Sequence, residues 1–326
     1  MNKGLVLVAI LAMSIFLTGC GSTQSIGKTF IGGTEGLKVS FQDGTPPAII
    51  TDGPSAGQFT IVVKAQNVGE ATVKKGDLYV QISGIDGPTY SLDTTKYPGF
   101  KSFNTNDIRG AVKNFDGTVL NGGLDNIEFG TLKYQDTVAG DQQPRVWADV
   151  CYKYYTNVST LICVNNNIEQ ALTNKDICTL EGEKNPQNSG GPIQVTSLKE
   201  SYGGSGKISV TLTLTHSGSG DNFFKVTDAA PVCNNVPGNM DAGKVKVTFK
   251  DVRIGSKIVK VECSNLDSEG YARLYADGSG KATINLQCTI DTTGSNNVVE
   301  VPLETQLSYV YLQHVSADLT LRHVPS

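Results

Sequence analysis

The sequence predicts an all-β protein made of two tandem antiparallel β-sandwiches, and three observations lead there. Short runs of alternating or β-branched residues follow one another along most of the chain and are separated by turn signals such as DGTPP, DGP, NVGE and NGG. The composition is turn-rich and charge-poor, with 36 glycines among 326 residues and 18% charged residues, which favours sheets over helices. The order of strand, tight glycine turn and strand onset occurs in both halves, so one unit fills each half.

The chain opens on a targeting segment. Lys3 supplies a positive charge ahead of the uncharged apolar run GLVLVAILAMSIFL, Gly4 to Leu17. This run is short for a bilayer span, which takes about 20 apolar residues. Leu17-Thr18-Gly19-Cys20 follows and resembles the lipobox of prokaryotic lipoproteins, where cleavage precedes a cysteine whose thiol carries a diacylglycerol. The small residues before the cut fit a peptidase, and the thiol forms the thioether. Residues 1–19 are therefore expected as a signal peptide and Cys20 as a lipidated N-terminus. Residues 20–36, polar and rich in small side chains, are expected as a tether.

Beyond residue 36 the expected strands are LKVSF, FTIVVKAQNVG, DLYVQISG, IEFGTLKY and RVWADVCYKYY in the first half. The second half offers PIQVTSL, KISVTLTLTHSG, KVKVTFKDV, KIVKVEC, KATINLQC, VEVPLE, LSYVYL and ADLTLRH. Only IEQALT, Ile168 to Thr173, hints at a helical turn. EGEKNPQNSGGP is charged, then rich in Asn, Gly and Pro, and places a linker at 182–192 between a first domain, 37–181, and a second, 193–326. LKVSFQD parallels IQVTSLKE, FTIVVKAQNVGEATV parallels ISVTLTLTHSGSGDNFF, and GDLYVQISGI parallels VKVTFKDVRI.

A strand ending in N-x-G, then a polar turn, then V-x-V-x-(I/F), resembles the CARDB-like and related immunoglobulin-like modules of prokaryotic surface proteins. CYKYYT…LICV and LSYVYL…ADLTLRH resemble uncharacterised archaeal surface lipoproteins built from two such modules. The resemblance covers nearly all of the mature chain and rests on packing and turn signals. It implies immunoglobulin-like sandwiches on a cell surface and transfers no catalytic residue.

Six cysteines remain after Cys20: Cys151, Cys163, Cys178, Cys233, Cys263 and Cys288. An even number fits disulfides in an oxidising compartment. A hairpin turning near Thr156 to Val158 would set Cys151 opposite Cys163. Cys263 and Cys288 each end a strand and would bridge, which leaves Cys178 with Cys233 by elimination. Asn157-Val158-Ser159 is an N-x-S sequon at the same expected hairpin tip, so Asn157 is a possible glycosylation site.

The catalytic and cofactor signals are weak. GPSAG, Gly53 to Gly57, has the spacing of a hydrolase nucleophile elbow, but a strand follows where that elbow needs a helix. GGSGKIS and GSGKAT lack phosphate-loop spacing and read as hairpin turns. His216, His314 and His323 are isolated, and Asp86, Asp116 and Asp125 match no calcium-loop spacing. No metal and no cofactor are therefore expected. Trp147, Tyr152, Tyr154 and Tyr155 split over two strand faces by period 2, and Tyr309 and Tyr311 share one, which reads as packing. The net charge of −4, with no basic cluster, argues against nucleic acid.

The function this implies is non-catalytic: a protein held on the outer face of the cytoplasmic membrane through membrane lipid. It would present an adhesive or structural surface to an envelope protein or glycan. The alternative is a solute- or carbohydrate-binding lipoprotein that serves a transporter, which would need a deep cleft.

Overall fold

The computed structural model describes residues 29–97, 99–102, 104–164, 177–204, 206–226, 233, 240–276, 281–293 and 298–325. The signal segment, Cys20 and IEQALT lie outside the described residues. Among the described residues, ten strands of five residues or more carry the fold. The first half contributes β1 (Leu37–Phe41), β2 (Gln58–Asn67), β3 (Leu78–Ser83), β4 (Leu124–Lys133) and β5 (Arg145–Val164). The second contributes β6 (Ile193–Tyr202), β7 (Lys207–His216), β8 (Lys244–Phe249), β9 (Ala282–Asp291) and β10 (Val299–Asp318). The protein is all-β, with antiparallel sheets packed face to face.

The halves use their strands in the same way. β2 lies between β1 and β4 in a three-stranded sheet, and β7 lies between β6 and β9 in a six-stranded one. β3 pairs with β5, and β8 pairs with β10. The registers also agree: Leu37, first in β1, faces Asn67, last in β2, while Ile193, first in β6, faces His216, last in β7. Alternating burial along β5 and β10 turns one face of each towards these covering sheets.

The sequence division at 182–192 does not separate two closed sheets. β5 and β10 are each 20 residues long and pair antiparallel over their full length, from Val164–Val299 to Arg145–Asp318. They form the spine of one eight-stranded sheet, and a single hydrophobic core runs under both covering sheets. VEVPLE and LSYVYL, expected as two strands, are one strand. The chain end returns to the first half, where Thr320–Arg322 pairs in parallel with Ile49–Thr51.

The continuity of β5 overturns two expectations. No hairpin turns at Thr156 to Val158, so Cys151 and Cys163 sit twelve residues apart on one extended strand, a rise of about 40 Å. A disulfide cannot span that. Cys163 instead bonds Cys178, and Cys151 bonds Cys233, which displaces both the Cys151–Cys163 and the Cys178–Cys233 pairings. Cys263–Cys288 is formed as expected, between residues directly opposite on neighbouring strands. Asn157 sits in mid-strand rather than at a tip. Its Oδ1 accepts from Gln306 Nε2 at 3.1 Å, and its backbone N–H donates to Ser189 Oγ at 2.8 Å.

The end of the expected tether is part of the fold. Thr29 N–H donates to Gln187 Oε1 at 2.7 Å, and Gly191 N–H donates to the Gly33 carbonyl at 3.1 Å. Residues 29–36 thus run along the 182–192 segment instead of hanging free.

Candidate functional site

The two halves meet over a row of four buried tyrosines. Tyr152 and Tyr154 on β5 pair with Tyr311 and Tyr309 on β10, and all four side chains point to the same face. Ring centroids lie 5.7 Å apart for Tyr152–Tyr154, 5.8 Å for Tyr152–Tyr311, 6.4 Å for Tyr154–Tyr309 and 6.3 Å for Tyr309–Tyr311. Tyr154–Tyr309 is tilted and the other three pairs are edge-to-face, a packing that adds about 0.5–1.5 kcal/mol per pair beyond burial. Burial also pushes every one of these phenols above the ordinary tyrosine range.

Each hydroxyl has a partner, as a buried hydroxyl must. Leu37 N–H donates to Tyr152 Oη at 3.1 Å, and Tyr309 Oη lies 2.8 Å from Thr156 Oγ1. Tyr154 Oη accepts from Ala71 N–H at 3.3 Å and donates to Asn67 Oδ1 at 3.2 Å. Tyr311 Oη accepts from Gly220 N–H at 2.7 Å and lies 2.9 Å from His216 Nε2. His216 therefore does in the second half what Asn67 does in the first: it joins the strand end to the tyrosine row. Desolvation lowers the pKa of its imidazole, in keeping with a neutral ring in this role.

Above the tyrosines, the turn after β2 binds the N-terminal segment. The Glu70 carboxylate accepts from Ile31 N–H at 3.0 Å, Gly32 N–H at 3.2 Å and Gly190 N–H at 2.8 Å. Space there is tight. A Cβ on Gly69 would overlap the Tyr154 hydroxyl and the Gly190 carbonyl oxygen, so this turn accepts only glycine. One carboxylate thus clamps residues 31–32 and Gly190 to the first half.

A polar groove of about 590 Å³ opens beside this clamp, lined by Thr29, Ser159, Leu161, Lys184, Gln187 and Glu300 among others. Its charges are largely committed. Lys184 Nζ lies 2.9 Å from the buried Glu200 carboxylate, which also accepts from Cys163 N–H at 3.0 Å, and Ser197 donates to Glu183 at 2.6 Å. Burial raises the Glu200 pKa to about 6 against the opposing pull of those two donors.

The remaining sequence signals fall as follows. GPSAG forms a 3-10 turn at Gly53–Ser55 that leads into β2. GGSGKIS spans the β6–β7 turn, closed by Gly203 N–H on the Lys207 carbonyl. Asp86 and Asp116 each accept from the backbone and hydroxyl of a threonine two or three residues on, and Asp125 lies within β4. No group of three or more His, Cys, Asp or Glu suited to a metal occurs among the described residues. His323 Nδ1 lies 2.9 Å from Asp52 Oδ2, and Asp52 also accepts from Val138 N–H and Val324 N–H at 2.8 Å each. Trp147 meets the His314 ring at 4.9 Å on the face opposite the tyrosines.

Sequence reasoning found the tyrosines as packing residues but missed their symmetry. The signal is present: CYKYYTNVS on β5 and SYVYLQHVS on β10 share Y-x-Y-x-x-x-V-S. Glu70 carried no signal, because a carboxylate that caps three distant N–H groups leaves no local spacing. No protein-family model matches the chain, and no curated protein matches it.

Proposed function

We propose that this chain is a non-catalytic, lipid-anchored protein of the cell envelope, held through Cys20 on the outer face of the cytoplasmic membrane. It presents a rigid two-lobed β surface to an envelope protein or glycan. The observation that carries the reading is the cysteine pairing. The six cysteines after Cys20 pair among themselves, which sets Cys20 apart as the one the disulfide framework does not use. Three disulfides also fit an oxidising compartment, where exported chains fold. In this reading the two sandwiches are immunoglobulin-like modules that share one sheet.

The clamp at Glu70 gives the anchor a mechanical sense. Thr29 is the ninth residue after Cys20, so a lipidated Cys20 holds the fold within about 30 Å of the bilayer surface. Two acyl chains are sufficient for stable retention. The polar groove beside Thr29 supports the second reading, a binding lipoprotein for a polar solute or sugar.

The test is intact mass of the protein extracted from membranes, with Cys20→Ser alongside. A chain beginning at Cys20 with a diacylglycerol adduct, and loss of membrane retention in the variant, is the expected result. An unmodified Cys20 in the mature chain overturns the anchor. Envelope crosslinking that enriches a transporter permease favours the second reading over the first.

A further inference from the structure

Most exposed apolar side chains on this protein are scattered, but one group is not. Val112, Phe115, Val119, Leu120 and Leu124 are all about half exposed or more, and Phe115 is fully exposed. They belong to one small ribbon, Val112–Lys113 paired with Val119–Leu120, and to the start of β4 just after it. Its tip is held by its own hydrogen bonds. Asn114 N–H donates to the Thr118 carbonyl at 2.8 Å, Gly117 N–H to the Asn114 carbonyl at 3.0 Å, and Thr118 N–H to Asp116 Oδ1 at 2.9 Å. The turn therefore fixes Phe115 in solvent where a merely tolerated apolar residue would fold back.

The root of this ribbon is the Glu70 clamp. Ala111 N–H donates to the Gly69 carbonyl at 2.7 Å, and Gly123 N–H donates to the Arg109 carbonyl at 2.8 Å while its own carbonyl accepts from Asn67. Gly110 lies so close to Glu70 that a Cβ there would overlap the Glu70 backbone. The same residue, through its carboxylate, holds Ile31 and Gly32 near the N-terminal end of the fold. The root of the apolar ribbon and residues 31–32 are therefore held by one turn.

We propose that the 112–120 ribbon is a membrane-inserting finger, whose occupant is the lipid surface to which the chain is tethered. This rests on the anchor proposed above. The finger exposes apolar groups at its tip and along its arms, a shape that lipid can surround and that offers a protein partner no flat face. Shallow insertion of a few large apolar side chains with basic neighbours such as Lys113 and Arg109 is the pattern of interfacial binding. Asp116, whose carboxylate is met by Thr118, stays at the level of the headgroups and limits the depth to the Phe115 ring. With the acyl chains it makes a second attachment point, so the lobes hold a set orientation to the bilayer.

The chain has a single tryptophan, Trp147, which makes a site-specific probe simple. Full-length protein carrying Phe115→Trp and Trp147→Phe is reconstituted into phosphatidylcholine–phosphatidylglycerol vesicles, with or without brominated acyl chains. The expected result is a blue-shifted emission that brominated chains reduce about twofold, as for an indole at the acyl boundary. The native chain, read through Trp147, keeps its emission in both vesicles. An emission from position 115 that is water-like and the same in both vesicles overturns the finger. A blue shift that grows with protein concentration in the absence of vesicles also overturns it, in favour of a second copy as occupant. Mass on the same sample separates the two readings. Quenching without a Cys20 adduct sinks the anchor and keeps the finger, whereas an adduct without quenching sinks the finger alone.

Discussion

Lys153 and Val310 face each other across the β5–β10 ladder, and they are the same position of the two repeats. The shared Y-x-Y motif places Tyr152 and Lys153 on β5 where Tyr309 and Val310 stand on β10. Equivalent residues that pair with each other lie on a two-fold axis, so the halves are related by a pseudo-two-fold through this pair. Leu37 and Ile193, Asn67 and His216, and the four tyrosines obey the same relation.

The symmetry predicts matched losses for Tyr154→Phe and Tyr311→Phe. Each removes a buried hydroxyl that serves a backbone N–H and a strand-end side chain. Leaving such groups unpaired costs about 1–3 kcal/mol each. Urea denaturation should show both variants destabilised to a similar degree. A large loss in one and none in the other would mean the second half does not use the row as the first does.

Removing the Glu70 carboxylate should free the N-terminal segment. Glu70→Ala leaves the N–H groups of Ile31, Gly32 and Gly190 without their acceptor. Limited proteolysis or hydrogen exchange should then show residues 29–36 opening while β5 and β10 stay protected. Unchanged protection of that segment would show that Thr29–Gln187 and Gly33–Gly191 contacts suffice.

The disulfides should contribute unequally. In the chain-entropy account the Cys163–Cys178 link, 15 residues apart, is worth about 3 kcal/mol. The Cys151–Cys233 link, 82 residues apart, is worth about 4.5 kcal/mol. Paired serine substitutions read by thermal unfolding should rank in that order. Peptide mapping of the unreduced protein should recover these two links together with Cys263–Cys288.

Much of the fold was legible because strands announce themselves. LKVSF and KISVTLTLTH alternate so regularly that β1 and β7 begin and end at their outermost alternating residues. The merging of VEVPLE with LSYVYL was not legible, since the polar run Glu304-Thr305-Gln306 separates their apolar residues. The pairing with β5 overrides that gap, as tertiary context does for local β signals. The same blind spot produced the false hairpin in CYKYYTNVSTLIC: a 20-residue strand is far longer than the usual one, so a turn was expected inside it. Within the site, the tyrosines were visible by period, but their hydroxyl partners come from turns far along the chain and from no motif.

Part of the acid limb of stability should trace to Asp52, which with Asp291 is one of two carboxyls among the described residues that are held down to about 2. The Asp52 carboxyl is held there by the His323 hydrogen bond first, then by the backbone N–H groups of Val138 and Val324. A depressed folded pKa gives stabilisation that is complete above the ordinary value of 3.8 and is lost as pH falls towards 2. Glu200 acts in the opposite sense: burial raises its pKa to about 6, so the fold favours its protonated form. That contribution is present below 4.5 and is lost as pH rises through 6. Denaturant midpoints of Asp52→Asn should therefore show a shallower slope below pH 4, and those of Glu200→Gln a shallower slope near pH 6, relative to the parent. Parallel curves for parent and variant would remove either residue from the account.

The β5–β10 ladder also dictates when the protein can become folded. Its nearest partners, Val164 and Val299, stand 135 residues apart in the chain, and its farthest, Arg145 and Asp318, stand 173 apart. The shared eight-stranded sheet cannot be completed until β10 has been made. A chain made from its N-terminus thus leaves β5 without its β10 partner until residues 299–318 are available. It then closes as one unit, at the slow pace that such distant pairings impose.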